Sequence, residues 1–230
     1  MCQGMEVDEW IDKQQENVLD VPYFHTVFTV PEKLYSLIYS NQKLLYDALY
    51  HAAHQTMEEL SADPKHLGAR IGYICVLHTW GSRMNYHPHL HTIVLGGGLD
   101  AANKWKDKGK KFFFPVKVMS AVFKKYYLRE LKQFWEDKKL EYHGTAAHLK
   151  NHYEFKALLN SLYDKNWVVY TKEAFNGADS VIHYLGRYTH RIAISNRRIV
   201  SMTDETVTYL VKDYKNGGKS VSYTHSEPTR

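Results

Sequence analysis

Apolar and polar positions along the chain follow two spacings, which together predict a mixture of strands and long amphipathic helices. Runs of β-branched and aromatic residues predict strands over residues 23–30, 71–80, 87–95 and 167–171, and a final strand pair over 192–201 and 206–212. Apolar residues at intervals of three and four predict helices over residues 1–20, 32–61, 116–138, 146–163 and 178–190. Long helices mixed with antiparallel hairpins predict an α+β fold, with one central antiparallel sheet and flanking helices.

The segments between these elements are rich in glycine or in charged residues. Three successive glycines at 96–98 predict a flexible hinge after a strand, and the basic residues 100–111 predict a loop or a small hairpin. The stretch 216–230 opens with Asn-Gly-Gly and stays polar, which predicts a tail that adds no element to the core.

Four histidines lie in the predicted hairpin, in the stretch His78-Thr-Trp-Gly-Ser-Arg-Met-Asn-Tyr-His-Pro-His-Leu-His91. Because a strand alternates its side chains between two faces, His87, His89 and His91 project to the same side. A turn over residues 81–86 places His78 opposite His89, Val76 opposite His91 and Trp80 opposite His87. This register brings the imidazoles of His78, His89 and His91 within reach of one ion.

The histidine row has two interpretations. Three imidazoles with open coordination positions suit Zn²⁺, Mn²⁺ or a similar ion better than Mg²⁺, which prefers oxygen ligands. Alternatively, the row faces solvent or a covering helix and holds no metal. The chain has 14 histidines in 230 residues, and chance then predicts roughly one His-x-His pair, so this pattern alone does not decide.

Composition narrows the class of protein. A net charge of +5 and a pI near 8.9 fit a polyanionic partner, or simply a slightly basic surface. Two cysteines exclude a disulfide framework and fit a reducing cytoplasm. No apolar run approaches the ~20 residues that span a bilayer, and the first residues show no secretory signal. We therefore expect a cytoplasmic protein with no membrane partner.

Two tyrosines share a face of the last predicted helix, in the segment His-Tyr-Leu-Gly-Arg-Tyr-Thr-His-Arg that ends at Arg191. Tyr184 and Tyr188 lie one turn apart, with Arg187, His190 and Arg191 around them. An amphipathic helix with two half-buried tyrosines explains the spacing without chemistry. Alternatively, with a metal to polarise a phosphodiester and cations to absorb charge, a tyrosine hydroxyl can attack phosphorus. The ester that forms conserves the energy of the broken bond, so rejoining requires neither ATP nor another nucleotide cofactor.

Taken together, the motifs resemble a known family. His-Pro-His-Leu-His followed downstream by Tyr-Leu-Gly-Arg-Tyr-Thr-His-Arg is similar to the HUH endonuclease superfamily, named for a His–hydrophobic–His signature, which here is His89-Leu90-His91. The closest resemblance is to the two-tyrosine rolling-circle transposases of the insertion-sequence-91 type. Further landmarks of that family stand in the same order: Val-Pro-Tyr-Phe-His-x-Val-Phe-Thr, His-Thr-Trp-Gly, Gly-Gly-Gly-Leu and Phe-Pro-Val-Lys-Val.

The resemblance implies a chemistry. Tyr184 and Tyr188 would be the nucleophiles, and His89, His91 and, as a third ligand, His78 would hold Mn²⁺ or Mg²⁺. The substrate would be single-stranded DNA at transposon ends, cleaved to a 5′-phosphotyrosine and a free 3′-OH. Stacking and charge indicate further DNA contacts, at Trp80, Arg83, Tyr86, Lys172, Arg187 and Arg191.

The resemblance also implies boundaries. Residues 21–215 correspond to an HUH-type catalytic domain, and residues 1–20 to a lead-in helix and a remnant of a zinc-binding module, of which Cys2-Gln3-Gly4 resembles the last knuckle. Residues 216–230 form the polar tail, so we expect a catalytic core truncated at both ends, in the nucleoid-associated cytoplasm of a bacterium. Two alternatives stay open: an impaired remnant that only binds single-stranded DNA, and a zinc-dependent hydrolase of small phosphates.

Overall fold

A computed structural model describes residue 13 and the ranges 18–109, 114–172, 180–181, 194–213 and 217–226. The strands in those ranges are β1 (Tyr23–Thr29), β2 (Arg70–Trp80), β3 (Tyr86–Leu99), β4 (Trp105–Asp107), β5 (Val168–Lys172), β6 (Ile199–Met202), β7 (Thr206–Asp213) and β8 (Lys219–Ser226). The α-helices that lie wholly within those ranges are α1 (Tyr35–Ser40), α2 (Gln42–Ala62), α3 (Val116–Glu136) and α4 (His152–Asp164), and a 3-10 helix at Gly144–Lys150 precedes α4. No helix in these ranges is long and apolar enough to cross a membrane.

The central sheet has the strand order β2-β3-β1-β5, and β4 pairs with β3 at one end. Every pairing in it is antiparallel, so the predicted α+β architecture is confirmed. Alternate side chains of β1 and β3, including Phe28, Leu90 and Val94, are buried in the main core with helices α2 and α3. The opposite face of the same strands carries histidines, so the helices cover one face and leave the other for a site.

The predicted helix over residues 32–61 is interrupted. A 3-10 turn at Glu32–Leu34 precedes α1, and α1 is separated from α2 by Asn41, which has φ −133° and ψ 43°. The Asn41 side chain donates to the carbonyls of Leu37 (2.9 Å) and Glu141 (2.8 Å) and accepts from the Glu141 N–H (2.7 Å). A side chain that satisfies the backbone in this way competes with the helical hydrogen bonds and breaks the helix.

The predicted glycine hinge is wrong, because residues 96–98 continue strand β3 as far as Leu99. A Cβ at Gly98 would lie 2.3 Å from the Arg70 carbonyl oxygen, and a Cβ at Gly97 would lie 2.5 Å from the Trp105 ring. These glycines therefore allow neighbouring chains to approach the strand closely, rather than allowing it to bend. Strand β4 pairs with residues 97–99. Of the two structures predicted for residues 100–111, a loop or a small hairpin, the hairpin is therefore the one observed.

A second sheet has the strand order β6-β7-β8, again antiparallel. The first strand of the predicted pair is shorter than expected, since a 3-10 turn at Asn196–Arg198 precedes β6. The predicted polar tail contains a strand instead, because Lys219–Ser226 pairs with β7 along its length. Residues 219–224 are exposed, so backbone pairing rather than burial stabilises this strand. Because its residues are polar, the pattern of apolar positions does not predict it.

Candidate metal centre

The hairpin of β2 and β3 sets the register of the histidines. His78 lies opposite His89 and Val76 opposite His91, as the loop length predicts. Trp80, however, pairs with Tyr86 instead of His87, because the register shifts between His78 and Trp80. The loop is consequently one residue shorter than predicted. Gly81 N–H donates to the Asn85 carbonyl (2.9 Å) and closes it.

His78, His89 and His91 converge as predicted. Each offers a ring nitrogen, and the three nitrogens lie within 4.8 Å of one another. The Nε2 atoms of His89 and His91 are 3.0 Å apart. Two ligands at about 2.1 Å from one ion, at a right angle to each other, would be separated by about 3.0 Å. The donor set therefore fits a transition-metal ion, which would occupy the space that the three nitrogens face.

Hydrogen bonds to the far side of two rings favour this arrangement. His89 Nδ1 lies 2.6 Å from the His87 carbonyl oxygen. Because a carbonyl only accepts, this Nδ1 carries the proton of the neutral ring, and Nε2 keeps its lone pair. His91 Nδ1 lies 2.9 Å from His25 Nε2. Ligand histidines commonly make a second hydrogen bond of this kind, which holds the ring in its ligating orientation.

His25 is a site residue that the sequence analysis missed. It lies in β1 opposite Ile93, and its ring stacks on His91 with centroids 5.1 Å apart and an interplanar angle of 11°. Burial, and to a smaller extent the charge of Lys172, lowers the pKa of His25 to about 4, so the ring is neutral at pH 7. The motif Val-Pro-Tyr-Phe-His contains this residue, but its role depends on β1 lying beside β3, which no local pattern reveals.

His87 lies outside the triad, in agreement with its place next to the turn. Its Nδ1 is hydrogen-bonded to the Tyr35 hydroxyl, and burial lowers the pKa of the His87 ring. The Tyr35 ring also packs edge-on against His87. The histidines of β3 thus have two different roles. His87 is bonded to helix α1, whereas His89 and His91 converge with His78.

A pocket of about 460 Å³ opens above the triad. Two of the predicted DNA contacts, Trp80 and Arg83, line it, and Trp80 stacks on His78 with centroids 4.7 Å apart. Arg198, which the sequence analysis did not single out, also lines the pocket, from the 3-10 turn that precedes β6. The remaining lining residues are the histidines of the triad, Gly81, Ser82, Asn85 and His87.

The second sheet is tied to the hairpin loop at this pocket. Arg198 donates through Nη2 to the Ser82 carbonyl and through Nε to the Leu210 carbonyl, each at 2.8 Å. The Tyr209 hydroxyl donates to the Arg83 carbonyl, also at 2.8 Å. One side chain of the second sheet, Tyr209, and one from the turn before it, Arg198, therefore hold the backbone of the loop that borders the triad.

The other predicted site residues are placed differently. Tyr86 is not among the pocket residues: its hydroxyl lies 2.7 Å from that of Tyr46, and burial raises its pKa. Lys172 is exposed at the end of β5, opposite His25 and therefore beside the histidine face. The remaining predictions, Tyr184, Tyr188, Arg187 and Arg191, lie outside the described residues.

Two described residues fall within the last predicted helix, over residues 178–190. Ser180 and Val181 are helical, and Val181 is only 1% exposed. Val181 is buried with Tyr23 and Ile93 in a second, smaller hydrophobic cluster. Because Ile93 is two residues after His91 in β3, this cluster lies on the histidine face of the sheet.

Residues 72–227 match the protein-family model described as "Putative transposase", and residues 1–30 match that of the IS91-type transposase zinc-binding domain. The chain belongs to the insertion-sequence-91 family of transposases. This transposase is 38% identical over 226 residues to the protein of Sinorhizobium fredii described as "Putative transposase y4qJ", covering 98% of this chain and 57% of that protein. It is 29% identical over 216 residues to the transposase for insertion sequence element IS801 of Pseudomonas savastanoi pv. phaseolicola, covering 93% of this chain and 50% of that protein.

This transposase chain therefore spans about half the length of these two relatives, with coverage of 57% and 50%. Among solved structures, the metal-bound conjugative relaxase TrwC in complex with OriT DNA matches it with a TM-score of 0.39 and 12% identity, over 74% of this chain and 71% of that chain. A further TrwC complex, with a 27-mer DNA that comprises the recognition hairpin and the cleavage site, has a TM-score of 0.37 and 10% identity, over 72% and 71%.

Proposed function

We propose that this chain cleaves and rejoins single-stranded DNA at transposon ends, by attack of a tyrosine on a phosphate held at the histidine triad. The observation that carries the proposal is the convergence of His78, His89 and His91 at a pocket that two arginines also line. When bound there, a divalent ion such as Mn²⁺ or Mg²⁺ would polarise a phosphate oxygen. The arginines add positive charge where a phosphate would lie.

The position of Val181 supports tyrosines as the nucleophiles. On the helix that the sequence predicts over residues 178–190, Tyr184 and Tyr188 are three and seven residues after Val181. Residues at these intervals share one face of a helix. Val181 is buried on the histidine face of the sheet. We therefore expect both tyrosines to project toward the same face as the triad.

The proposed cleavage requires no reactant besides the DNA strand and the tyrosine. The tyrosine Oη gives up its proton and forms a bond to phosphorus, while the bond from phosphorus to the 3′ oxygen breaks. The leaving oxygen takes a proton and becomes a free 3′-OH, and the 5′ end stays on the enzyme as a phosphotyrosine. Attack by a 3′-OH on this ester reverses the step and releases the tyrosine. A second tyrosine allows a second cleavage while the first end is still held.

The DNA contacts that we propose combine stacking and charge. Trp80, already stacked on His78, offers a face for a base, and Arg83 and Arg198 border the same pocket. Lys172 is at the rim of the histidine face, and Arg187 and Arg191 flank the tyrosines in sequence. Tyr86 stays a predicted DNA contact, although its hydroxyl is bonded to that of Tyr46.

The test is adduct formation on a labelled single strand. The strand carries a terminus of the element that encodes the chain, and it is incubated with the protein and Mn²⁺. We expect a covalent protein–DNA species on a denaturing gel, which is lost in the Tyr184→Phe/Tyr188→Phe double variant. Tyr153→Phe is the matched control, because Tyr153 is 80% exposed on α4 and does not line the pocket at the triad. It should leave the adduct unchanged.

Each alternative predicts a different result. Retained binding of the strand with no adduct under Mn²⁺ or Mg²⁺ would contradict the enzyme proposal and favour a binding remnant. Turnover of a generic phosphodiester such as bis-p-nitrophenyl phosphate, undiminished in the double tyrosine variant, would favour a metal-dependent hydrolase instead.

A further inference from the structure

The ring of His91 has two nitrogens, and each faces another histidine. Its Nε2 is 3.0 Å from His89 Nε2, and its Nδ1 is 2.9 Å from His25 Nε2. A neutral imidazole carries one proton, so only one of these nitrogens can be a donor at a time. Metal ligation through Nε2 requires that atom to be unprotonated, which places the proton on Nδ1.

The partner of Nδ1 therefore decides whether His91 can ligate. We propose that His25 is a positioning residue for the metal centre: its Nε2 accepts the Nδ1 proton of His91, fixes the ligating tautomer and orients the ring. This inference rests on the metal role proposed above. The proton balance is closed within the two rings, because His25 then carries its own proton on Nδ1 and both imidazoles stay neutral.

The His25 ring restrains the orientation of the His91 ring in two ways. The two rings are nearly parallel at 11°, so the stack restricts tilting of His91 while the hydrogen bond restricts its rotation. His25 is 8% exposed, in a strand paired on both sides, with β3 and with β5. The support is therefore rigid, because the backbone of His25 is held by two ladders of hydrogen bonds.

The Nδ1 atoms of His89 and His91 have different kinds of hydrogen-bond partner. His89 Nδ1 is held by the His87 carbonyl, which is part of its own strand. His91 instead relies on a side chain from the neighbouring strand. In the described part of the chain, the two ligands of the His-x-His pair thus have different supports: a backbone carbonyl for His89, and for His91 a side chain that a substitution can remove.

The test separates the two properties of His25. His25→Phe keeps a stacking ring but removes the acceptor, whereas His25→Gln places an amide oxygen near the position of Nε2. His54→Phe is the matched control, because His54 bonds to Tyr73 away from the triad. Calorimetric titration of the metal-free proteins with Co²⁺ alone should show a loss of about 10- to 100-fold in affinity for His25→Phe. His25→Gln should recover to within about threefold of wild type, and His54→Phe should bind like wild type.

A second readout does not depend on the variants. In the wild-type protein loaded with Zn²⁺, long-range ¹H–¹⁵N spectra of the imidazoles should show His91 protonated at Nδ1. The opposite tautomer, or a His25→Phe protein that is folded and binds Co²⁺ as tightly as wild type, would overturn the role of His25. Equal weakness of folded His25→Gln and His25→Phe would overturn it too. If wild-type protein binds neither ion, the proposed metal function itself fails.

Discussion

The Arg198 guanidinium donates to the Ser82 carbonyl at 2.8 Å, and so connects the second sheet to the loop of the histidine hairpin. The same side chain donates to the Leu210 carbonyl, and it lies 5.7 Å from the centre of the Tyr209 ring. The loop that borders the metal pocket is thus held by a residue more than a hundred positions away in sequence. We therefore expect these hydrogen bonds to contribute to the order of the loop.

Removal of Arg198 should loosen this loop. In Arg198→Ala, we expect faster hydrogen exchange in peptides that cover residues 81–85, because the Ser82 carbonyl loses its donor. The loss of global stability should be about 1 kcal/mol or less, since the bonds are near solvent. The neighbouring Arg197→Ala, at an exposed position, is the control. Unchanged exchange in Arg198→Ala would show that the Arg198 hydrogen bonds do not order the loop.

Substitutions of His89 and His87 should differ sharply in their effect on metal binding. His89→Ala should abolish stoichiometric Co²⁺ binding, because it removes one of the converging nitrogens. His87→Asn should bind Co²⁺ within a few-fold of wild type, since His87 is bonded to Tyr35 outside the triad. Titration calorimetry measures both. Full metal stoichiometry in His89→Ala would disprove the ligand assignment, and loss of metal in His87→Asn would place His87 among the ligands.

The helix break at Asn41 should be costly to alter. Asn41→Ala removes three hydrogen bonds from a side chain that is 7% exposed, and it leaves backbone groups of Leu37 and Glu141 without their partner. We expect a loss of about 3 kcal/mol in the free energy of unfolding, at ~1 kcal/mol for each bond. Asn151→Ala, which removes only the cap of α4, should cost about 1 kcal/mol. Urea denaturation compares the two, and equal losses would show that the Asn41 bonds add nothing beyond a cap.

The contact between α2 and α3 should depend on pH. Hydrogen bonds from Lys125 and then Tyr126 lower the pKa of Glu59. Since the folded pKa is below the unfolded one, the stabilisation is complete above the unfolded value of about 4.3 and is lost as the pH falls through the folded value. The Glu59 side chain is 39% exposed, so solvent screening limits the effect to about 0.2–1 kcal/mol.

Glu59→Gln should therefore be less stable than wild type at pH 7, and the difference should shrink as the pH falls below about 4. Added salt should reduce the difference at pH 7. Glu136→Gln, in the exposed i,i+4 pair with Lys132, is the control. A difference that stays constant from pH 7 to pH 3 would mean that packing rather than charge is responsible.

The sequence predicted most of the central sheet and the convergence of the triad, because both follow from local rules. A short loop between two strands fixes their register, and alternation then places His78, His89 and His91 on one face. The register shift before Trp80 escaped prediction, since an extra residue in one strand changes no feature of the apolar pattern.

What the sequence did not predict depends on contacts between distant segments. His25 meets His91 only because the sheet order places β1 beside β3, although the two histidines are 66 positions apart in sequence. Asn41 breaks a continuous helical pattern because its partner, Glu141, is 100 residues away. Strand β8 is exposed and polar, so its pairing with β7 leaves no trace in the spacing of apolar residues.

The pairing of β2 with β3 has a consequence for how the hairpin forms. The triad draws one ligand from β2 and two from β3. A slip of one residue would turn the partner side chains to opposite faces of the sheet, and the ion would lose His78 or the His89/His91 pair in a single move. An ion that binds all three nitrogens would thus favour the native register over its nearest competitors. The ion proposed for the chemistry would therefore also stabilise the correct alignment of the two strands during folding.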